Sequence, residues 1–324
     1  MKIGMVGAGR MGAGMVARLL KGGLACVVYD PHPAAVAALV ALGAEAASSL
    51  EDLVSRLSPP RIAWMMVPSG EATEKTAEVL GAILGSGDLL VDGGNSHFKD
   101  ALRRSQRLAP RGIEHVDCGT SGGVWGSERG YCLMAGCSAK AFGLIEPALK
   151  ILAPGLSGVA ESPGRQGRIS TAKLGYLHCG GPGSGHFTKM VHNAIEYGMM
   201  QALAEGFGLM KSRASEDLDP ASRYALPLAD IAELWRRGSV VGSWLLDLSA
   251  MALAEDEALA RFQGSVEDSG EGRWTMEAAM EGSVPAPALA AALFARYRSR
   301  GEGRYGDQLL SAMREKFGGH REKP

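Results

Sequence analysis

The chain has 324 residues, of which 46% are apolar and 21% are charged, and its formal net charge is −1. This length suggests about two domains, and the apolar content is sufficient to bury a sizeable core. The near-zero net charge argues against a general nucleic-acid or polyanion binder, because such proteins normally carry a basic excess. High apolar content and low net charge together also argue against disorder.

Cysteine usage and apolar patterning favour a cytoplasmic protein. The 5 cysteines are odd in number and form no CxxC pair, which argues against a disulfide scaffold and against a zinc ribbon. The N-terminus lacks the pattern of a secretory signal, and no apolar run reaches the roughly 18 residues that span a bilayer. We therefore expect a soluble cytoplasmic protein that binds no metal, no membrane and no nucleic acid.

In chain order, the first half of the sequence alternates predicted strands with predicted helices. Apolar runs of strand length occupy residues 2–6, 25–29, 62–67, 89–92, 113–117 and 131–135. Helical spacing of apolar residues predicts helices over residues 11–20, 33–42, 49–57 and 71–84. Ser49 is the expected N-cap of the third helix. Strands that alternate with helices indicate βαβ units and hence a parallel sheet covered by helices on both faces.

The second half of the sequence is predicted to be helical. Helical spacing covers residues 186–213, 228–237, 243–254, 287–300 and 306–317. No segment after residue 182 predicts a strand. Residues 155–172 predict a long surface loop, and the Gly-rich stretch 180–185 marks a domain boundary. The sequence therefore predicts an α/β domain over residues 1–182 and an all-α domain over residues 183–324.

A Gly-rich motif, GAGRMG at residues 7–12, follows the first predicted strand and opens the first predicted helix. In such a motif Gly7 makes the tight turn, Gly9 lets the backbone approach a pyrophosphate, and Gly12 lets helix and strand pack closely. The helix N-terminus supplies amide donors and a favourable dipole for the phosphates. The second strand then ends in an acid, Asp30. This context predicts a Rossmann-type, doubly wound dinucleotide-binding domain, and a Gly-rich turn without a ligand is the alternative.

The acid after the second strand indicates which dinucleotide is bound. Asp30 can accept hydrogen bonds from both hydroxyls of the adenine ribose and would repel a 2′-phosphate, so it favours NAD over NADP. Arg10 is a cation that argues in the opposite direction, although a residue at this point of the motif more often faces the pyrophosphate. We expect the cofactor contacts to come from Gly7, Gly9, Arg10, Met11, Gly12, Asp30, Val67 and Asn95.

The helix predicted over residues 186–213 carries the most informative polar pattern. Functional side chains at i, i+3, i+4, i+7 and i+8 share one stripe of this helix, namely Lys189, His192, Asn193, Glu196 and Tyr197. A partly buried lysine near a nicotinamide can act as a general base, and Glu196 lies about 10 Å further along the helix axis as a candidate acid. The alternative is an ordinary solvated helix face.

Several motifs together resemble one family. The pattern Gly183-x-Gly185-x-x-x-Lys189-x-x-x-Asn193 resembles the signature of the β-hydroxyacid dehydrogenases, and the sequence GSGHFTKMVHNAIEYGMMQ resembles the active-site helix of the decarboxylating 6-phosphogluconate dehydrogenases. Matches to the narrower family also include DGGNS at residues 92–96, DCGTSGG at 117–123, FARY at 294–297, and the tail pattern Arg314-x-x-Phe317-Gly318-x-His320. The resemblance covers nearly the whole chain, which is similar to a short form with a halved helical domain.

The resemblance implies a two-step reaction that needs no metal. Lys189 would remove the proton of the 3-hydroxyl as hydride leaves for the nicotinamide, and the resulting β-keto acid would lose CO2. Glu196 would then protonate C1 to give ribulose 5-phosphate. The resemblance assigns the sugar-acid hydroxyls and carboxylate to Asn95, Ser121, Gly122, Gly123, His192 and Asn193. It assigns the phosphate to Tyr197, Arg296 and Arg314, and the tail residues Arg314 and His320 would complete the site of a neighbouring subunit. A homodimer or homotetramer follows.

The sequence departs from the family pattern at Ser269, at Asp30 and in the loop of residues 66–70, where the family usually has Val-Lys-Ala-Gly. Ser269 stands where the long form has a phosphate-binding lysine, and Arg273 is a candidate replacement. Asp30 stands where NADP-dependent members usually carry an Asn-Arg pair, which strengthens the prediction of NAD.

We assign no role to His178 or His186. The alternatives are a dehydrogenase of another 3-hydroxy acid, such as 3-hydroxyisobutyrate, and a cofactor-binding subunit without chemistry.

Overall fold

A computed structural model describes residues 1–318, and its first part is built on one eight-stranded sheet. The strands are β1 (Lys2–Val6), β2 (Ala25–Tyr29), β3 (Glu45–Ala46), β4 (Ile62–Met65), β5 (Leu89–Asp92), β6 (Glu114–Ser121), β7 (Cys132–Gly136) and β8 (Tyr176–Gly180). Their order is β3-β2-β1-β4-β5-β6-β7-β8. Strands β1 to β6 are parallel, β7 is antiparallel to β6, and β8 is parallel to β7.

Helices cover the sheet and make up most of the second half. They are α1 (Arg10–Lys21), α2 (Pro33–Val40), α3 (Leu50–Ser55), α4 (Glu71–Ile83), α5 (Phe98–Leu108), α6 (Gly126–Arg129), α7 (Ala139–Leu152), α8 (Ser184–Ser212), α9 (Leu228–Trp235), α10 (Trp244–Glu255), α11 (Glu271–Glu281), α12 (Pro287–Ser299) and α13 (Arg304–Gly318). In the described part of the chain no strand follows β8, which confirms the predicted change from α/β to helical structure. None of the helices described is long and apolar enough to cross a membrane.

The central strands of the sheet are buried on both faces, as the sequence predicts. Leu89 and Val91 of β5 pack in one apolar cluster with α1 and α7, whereas Leu90 between them packs in a second cluster with α3 and α4. Strands buried on both faces need continuous apolar runs instead of alternation. This requirement explains why the apolar runs at residues 2–6, 25–29 and 89–92 match β1, β2 and β5 residue for residue.

The predicted parallel sheet is confirmed for β1 to β6, whereas β7 and β8 run in the opposite direction. Only residues 122–131 connect β6 to β7, and a parallel crossover needs about a dozen residues or more, so β7 runs antiparallel. Strand β8 was not predicted because Tyr176 is its only fully buried residue. Strand β6 also continues four residues beyond the predicted end, to Ser121.

Several helices were also missed, and each has a local cause. Helix α5 is strongly charged and buries only Ala101, Arg104 and Leu108. Helix α7 contains Pro147, a residue that usually ends a helix. Helix α11 begins within a Gly-rich segment. The predicted N-cap of α3 is confirmed, since the Ser49 side chain accepts a hydrogen bond from the amide of Asp52.

The chain divides into two compact units, one from Met1 to Met190 and a second that begins at Val191. This division falls within α8. The predicted boundary between residues 182 and 183 separates the residues expected to bind the cofactor from those expected to bind the substrate. It stays a prediction. In the second unit, α9 and α10 pack on later turns of α8 through Ala232, Leu246 and Ala250.

Candidate active site

The glycine motif forms a tight loop between β1 and α1. Gly7 has a φ of +100° and donates its amide hydrogen to the carbonyl of Tyr29 at 2.9 Å. A Cβ atom on Gly7 would collide with the Met66 carbonyl, and one on Gly12 would collide with the Gly7 carbonyl. Nothing lies within 4 Å of the Cβ position of Gly9, which is the residue before the first turn of α1. This open cradle at a helix N-terminus fits the pyrophosphate of a dinucleotide.

Asp30 ties the end of β2 to the glycine loop. Its Oδ2 accepts a hydrogen bond from the Ala8 amide at 2.7 Å, and its Oδ1 accepts one from the His32 amide at 2.8 Å. A carboxylate has about four acceptor sites. These two bonds therefore fix the orientation of Asp30 while leaving acceptor capacity for ribose hydroxyls.

The other cofactor candidates lie along the same edge of the sheet. Val67 and Asn95 follow β4 and β5, and the carboxyl ends of β1, β4 and β5 meet where the strand order reverses. This switch point is where doubly wound sheets bind ligands. Arg10 is exposed on the first turn of α1, and Met11 is partly buried beside it. Ser121 ends β6 at the same edge, and Gly122 and Gly123 follow it.

The first turn of α8 is anchored on the sheet by a carboxylate that the sequence analysis did not assign. Asp117 accepts hydrogen bonds from the amides of Gly183, at 2.5 Å, and His186, at 2.8 Å. Burial raises the pKa of Asp117, and the charge of His186 and the two amide donors oppose this shift. A Cβ atom on Gly185 would collide with the backbone of β6 and β7, so α8 starts directly against the strands.

This anchoring fixes the position of the predicted base. Lys189 lies one turn further along α8 and is only 9% exposed. Its Cβ lies so close to β6 that a side chain at Gly119 would collide with it. Gly119 thus makes room for Lys189 on the strand whose end carries Ser121.

A buried ionic cluster lies beneath the same turn. The Oδ2 atom of Asp92 accepts hydrogen bonds from Ser96 at 2.7 Å and Arg104 at 2.6 Å, and His186 Nε2 lies 3.3 Å away. Burial alone would raise the pKa of Asp92, but the close approach and charge of His186 and the charge of Arg104 hold it below its usual value. His115 is buried beside the cluster, and burial lowers its pKa to about 3.

His186, to which the sequence assigned no role, lies between α8 and the end of β5, 3.3 Å from Asp92. The available sequence signal was an acid as the last residue of each of two predicted strands, Asp92 and Asp117, with a histidine one turn before Lys189.

In the second unit, the α8 stripe forms a hydrogen-bonded chain. His192 Nδ1 lies 3.0 Å from Asn193 Oδ1 and 3.4 Å from Glu196 Oε2. The side chains of His192 and Glu196 are 38% and 39% exposed, so this part of the stripe is neither fully solvated nor buried. Asn193 Nδ2 donates to Glu271 Oε1 at 2.5 Å, and Glu271 is 1% exposed. Glu271 was missed, and its position directly after Ser269-Gly270 was the only signal.

The two residues that the resemblance assigns to phosphate, Tyr197 and Arg296, lie together with Ser269, which stands at the position of the family's phosphate-binding lysine. The Tyr197 hydroxyl accepts the Ser269 amide hydrogen at 3.1 Å and lies 3.3 Å from the Ser269 hydroxyl. The guanidinium of Arg296 lies 3.6 Å from the centre of the Tyr197 ring, within cation–π distance. Arg296 also donates to the Glu267 carbonyl at 2.6 Å.

The remaining candidates are not part of this group. Arg273 is paired with Asp268 at 3.0 Å and is 56% exposed, so its side chain is held by an acid. Arg314 is exposed on α13. His320 lies outside the described residues. Among residues 1–318, no three or more His, Cys, Asp or Glu side chains are arranged to hold a metal ion.

Comparison with family models covers both halves of the chain. The NAD binding domain of 6-phosphogluconate dehydrogenase matches residues 2–160, and the C-terminal domain of 6-phosphogluconate dehydrogenase matches residues 185–305. A relative from Haloferax volcanii, 6-phosphogluconate dehydrogenase, NAD(+)-dependent, decarboxylating, is 37% identical over 321 residues, which are 99% of this chain and 98% of the relative.

Solved structures show the same fold. The Plasmodium falciparum 6-phosphogluconate dehydrogenase, studied with its cofactor NADP+ and its substrate 6-phosphogluconate, superposes with a TM-score of 0.77 at 24% identity over 98% of this chain and 65% of that one. The Mycobacterium tuberculosis 3-hydroxyisobutyrate dehydrogenase superposes with a TM-score of 0.67 at 19% identity over 94% of each chain.

Proposed function

Because this chain belongs to the decarboxylating 6-phosphogluconate dehydrogenase family, we propose that it converts 6-phospho-D-gluconate and NAD to D-ribulose 5-phosphate, CO2 and NADH. The observation that carries this proposal is the placement of Lys189. It is a buried lysine, anchored against β6 by Gly119, on a helix whose next two turns present His192, Asn193 and Glu196.

In the proposed first step, Lys189 acts as general base on the 3-hydroxyl of the sugar acid. A nicotinamide dinucleotide held at the glycine loop of residues 7–12 would supply the hydride acceptor for C3. Lys189 keeps the proton and donates a hydrogen bond to the new ketone, so that the carbonyl can accept the electron pair of the breaking C1–C2 bond. Burial supports this role, because a lysine held in a dry and fixed geometry exchanges a proton with one substrate atom instead of with water.

In the proposed second step, CO2 has left and Glu196 protonates the enediol. The carbon that receives the proton was C2 of the substrate and becomes C1 of ribulose 5-phosphate. Glu196 lies seven residues beyond Lys189 on α8, about 10 Å along the helix axis. Because the acid and the base act at neighbouring carbons of one substrate, this assignment requires the two long side chains to converge on it from successive turns of the helix. The 3.4 Å approach of His192 to Glu196 supports a shared proton-handling role for this stripe.

We assign the remaining substrate contacts to the residues that carry the family motifs. Hydroxyl and carboxylate contacts come from Asn95, Ser121, Gly122, Gly123, His192 and Asn193. Phosphate contacts come from Tyr197 and Arg296, with Arg314 and His320 supplied by a second subunit, so the active form is a homo-oligomer. The cluster of Tyr197, Ser269 and Arg296 supports the phosphate assignment, because a guanidinium and two hydroxyls match phosphate oxygens.

Asp30 supports NAD as the preferred cofactor. Its carboxylate is fixed by two amide donors at the end of β2, where an adenine ribose is bound in this fold. A 2′-phosphate at this point would meet a negative charge.

The test is to follow absorbance at 340 nm with purified protein and 6-phosphogluconate, comparing NAD and NADP at equal concentrations. We expect turnover with both, with kcat/KM at least tenfold higher for NAD, which is about 1.4 kcal/mol of discrimination. A preference for NADP would contradict the role of Asp30. Reduction with 3-hydroxyisobutyrate but not with 6-phosphogluconate would overturn the substrate assignment.

A further inference from the structure

A buried carboxylate, Glu271, forms the contact between α11 and the polar stripe of α8. Glu271 is the first residue of α11, and its Oε1 lies 2.5 Å from Nδ2 of Asn193. A carboxylate accepts hydrogen bonds, so it selects the NH2 end of the Asn193 amide. The oxygen end is then directed to His192 Nδ1 at 3.0 Å, and the imidazole donates that hydrogen bond.

Local structure holds Glu271 in place. Gly270 before it has a φ of +102°, a conformation that favours glycine. Gly272 after it packs so closely on Tyr197 that a Cβ atom there would lie 2.9 Å from the ring. A buried carboxylate is costly unless it is hydrogen-bonded, and the start of a helix is a favourable place for negative charge. Glu271 has both stabilising features: it accepts a hydrogen bond from Asn193, and it is the first residue of α11.

We propose that Glu271 is a positioning residue for the sugar-acid site: it fixes the amide orientation of Asn193 and, through Asn193, the hydrogen bonding of His192 beside Glu196. This inference rests on the proposed function, which assigns His192 and Asn193 to the substrate. Because an amide group is planar, fixing one N–H and the oxygen also fixes the direction of the second N–H. The stripe thus presents a defined donor pattern to a polyhydroxy acid.

The test is a double-mutant cycle between Glu271 and Asn193. Loss of a hydrogen bond to a charged group weakens an interaction by about 10- to 150-fold, so we expect E271A to lower kcat/KM for 6-phosphogluconate about 30-fold. We expect the cofactor Kd to change less than about twofold. In an N193A background, E271A should add less than about threefold, since the partner is already absent. Full additivity would show that Glu271 only supports the fold, and would overturn the inference.

Two conservative variants separate hydrogen bonding from charge. E271Q keeps an acceptor oxygen at the same reach, and we expect kcat/KM within about fivefold of wild type. E271D keeps the charge at the helix start but is one methylene shorter, and we expect a loss similar to that of E271A. If E271A does not fold, the contrast between E271Q and E271D decides. Equal activity of these two variants would contradict the role. E281A, at the exposed end of α11, is the matched control.

The wild-type assay separates failure of this inference from failure of the proposed function. If wild type does not turn over 6-phosphogluconate, the proposed function fails, and the side-chain amide of Asn193 still reports on Glu271 by NMR. Its signal, assigned by its loss in N193D, should move and lose exchange protection in E271A but not in E271Q. An unchanged signal in E271A would overturn the inference.

Discussion

The two ends of the α8 stripe have opposite environments. In the first unit, the turn that carries Lys189 is anchored by buried charges, with Asp117 on two backbone amides and Asp92 beside His186. In the second unit, the side chains of His192 and Glu196 are more than one-third exposed and are held by hydrogen bonds. The proposed base, Lys189, is therefore fixed by the sheet, whereas the proposed acid, Glu196, keeps access to solvent protons.

The largest effect is expected from removing the fixed base. K189A should lower kcat for 6-phosphogluconate by about 1,000-fold, since general base catalysis contributes about 100- to 10,000-fold. Cofactor Kd should change little, because the glycine loop is untouched. Steady-state kinetics with fluorescence titration of the cofactor measure both. K150A removes an exposed lysine of α7 and is the control; retention of more than a few per cent activity in K189A would contradict the role.

The next effect tests the anchoring itself. G119A would place a methyl group against the Cβ of Lys189 and shift α8 from β6. A displacement of about 1 Å at the chemical centre can cost about 100-fold, so we expect kcat to fall by about this factor. G143A, in open space on α7, should leave kcat unchanged. Equal kcat values for the two variants would show that the close contact does not position Lys189.

Because His115 is buried, we expect the free energy of unfolding to depend on pH. His115 has a pKa of about 3 in the folded protein and 6.5 in the reference state, so it stays neutral on folding. Below pH 6.5 the unfolded chain binds a proton that the folded chain does not, and the free energy of unfolding decreases as pH falls towards 3. The slope is about 1.4 kcal/mol per pH unit, or about 2 kcal/mol between pH 6.5 and 5.

Urea unfolding between pH 5 and 7 measures this slope. The variant H115L should flatten it, whatever its absolute stability, whereas H32L, an exposed histidine near the glycine loop, should not. The same slope in H115L as in wild type would place the titration elsewhere.

The smallest effect concerns the cofactor. D30A should reduce the ratio of kcat/KM for NAD to that for NADP about tenfold, equal to about 1.4 kcal/mol. The ratio is the appropriate measurement, because loss of the hydrogen bonds to Ala8 and His32 affects both cofactors. E45Q, at the neighbouring strand end, is the control. An unchanged ratio in D30A would remove Asp30 from cofactor selection.

Much of the fold was predictable because its strands are buried on both faces. Apolar runs alone located β1, β2 and β5, and the glycine spacing located the turn before α1. The elements that were missed bury little apolar surface, begin at glycine or contain proline, as in β8, α11 and α7. Pattern reasoning finds an element through an uninterrupted apolar face, so such elements give a weak or conflicting signal.

The candidate site was predictable only where a helix period or a motif carried it. The spacing from Lys189 to Tyr197 holds because α8 is one continuous helix of 29 residues. Asp117, His186 and Glu271 were assigned no role, since each contacts residues far away in the sequence. Side-chain partners of this kind depend on tertiary packing, which spacing does not encode.

The most direct test of Glu196 as the acid is to measure how deuterium is incorporated at C1 of ribulose 5-phosphate when the reaction runs in D2O. If Glu196 delivers the proton, wild type should give ribulose 5-phosphate with one deuterium at C1 in a single configuration, as read by proton NMR of the freshly formed product. E196Q should turn over more slowly and give both configurations, because the enediol is then protonated in solution. Unchanged rate and configuration in E196Q would contradict the assignment of acid and base to one helix.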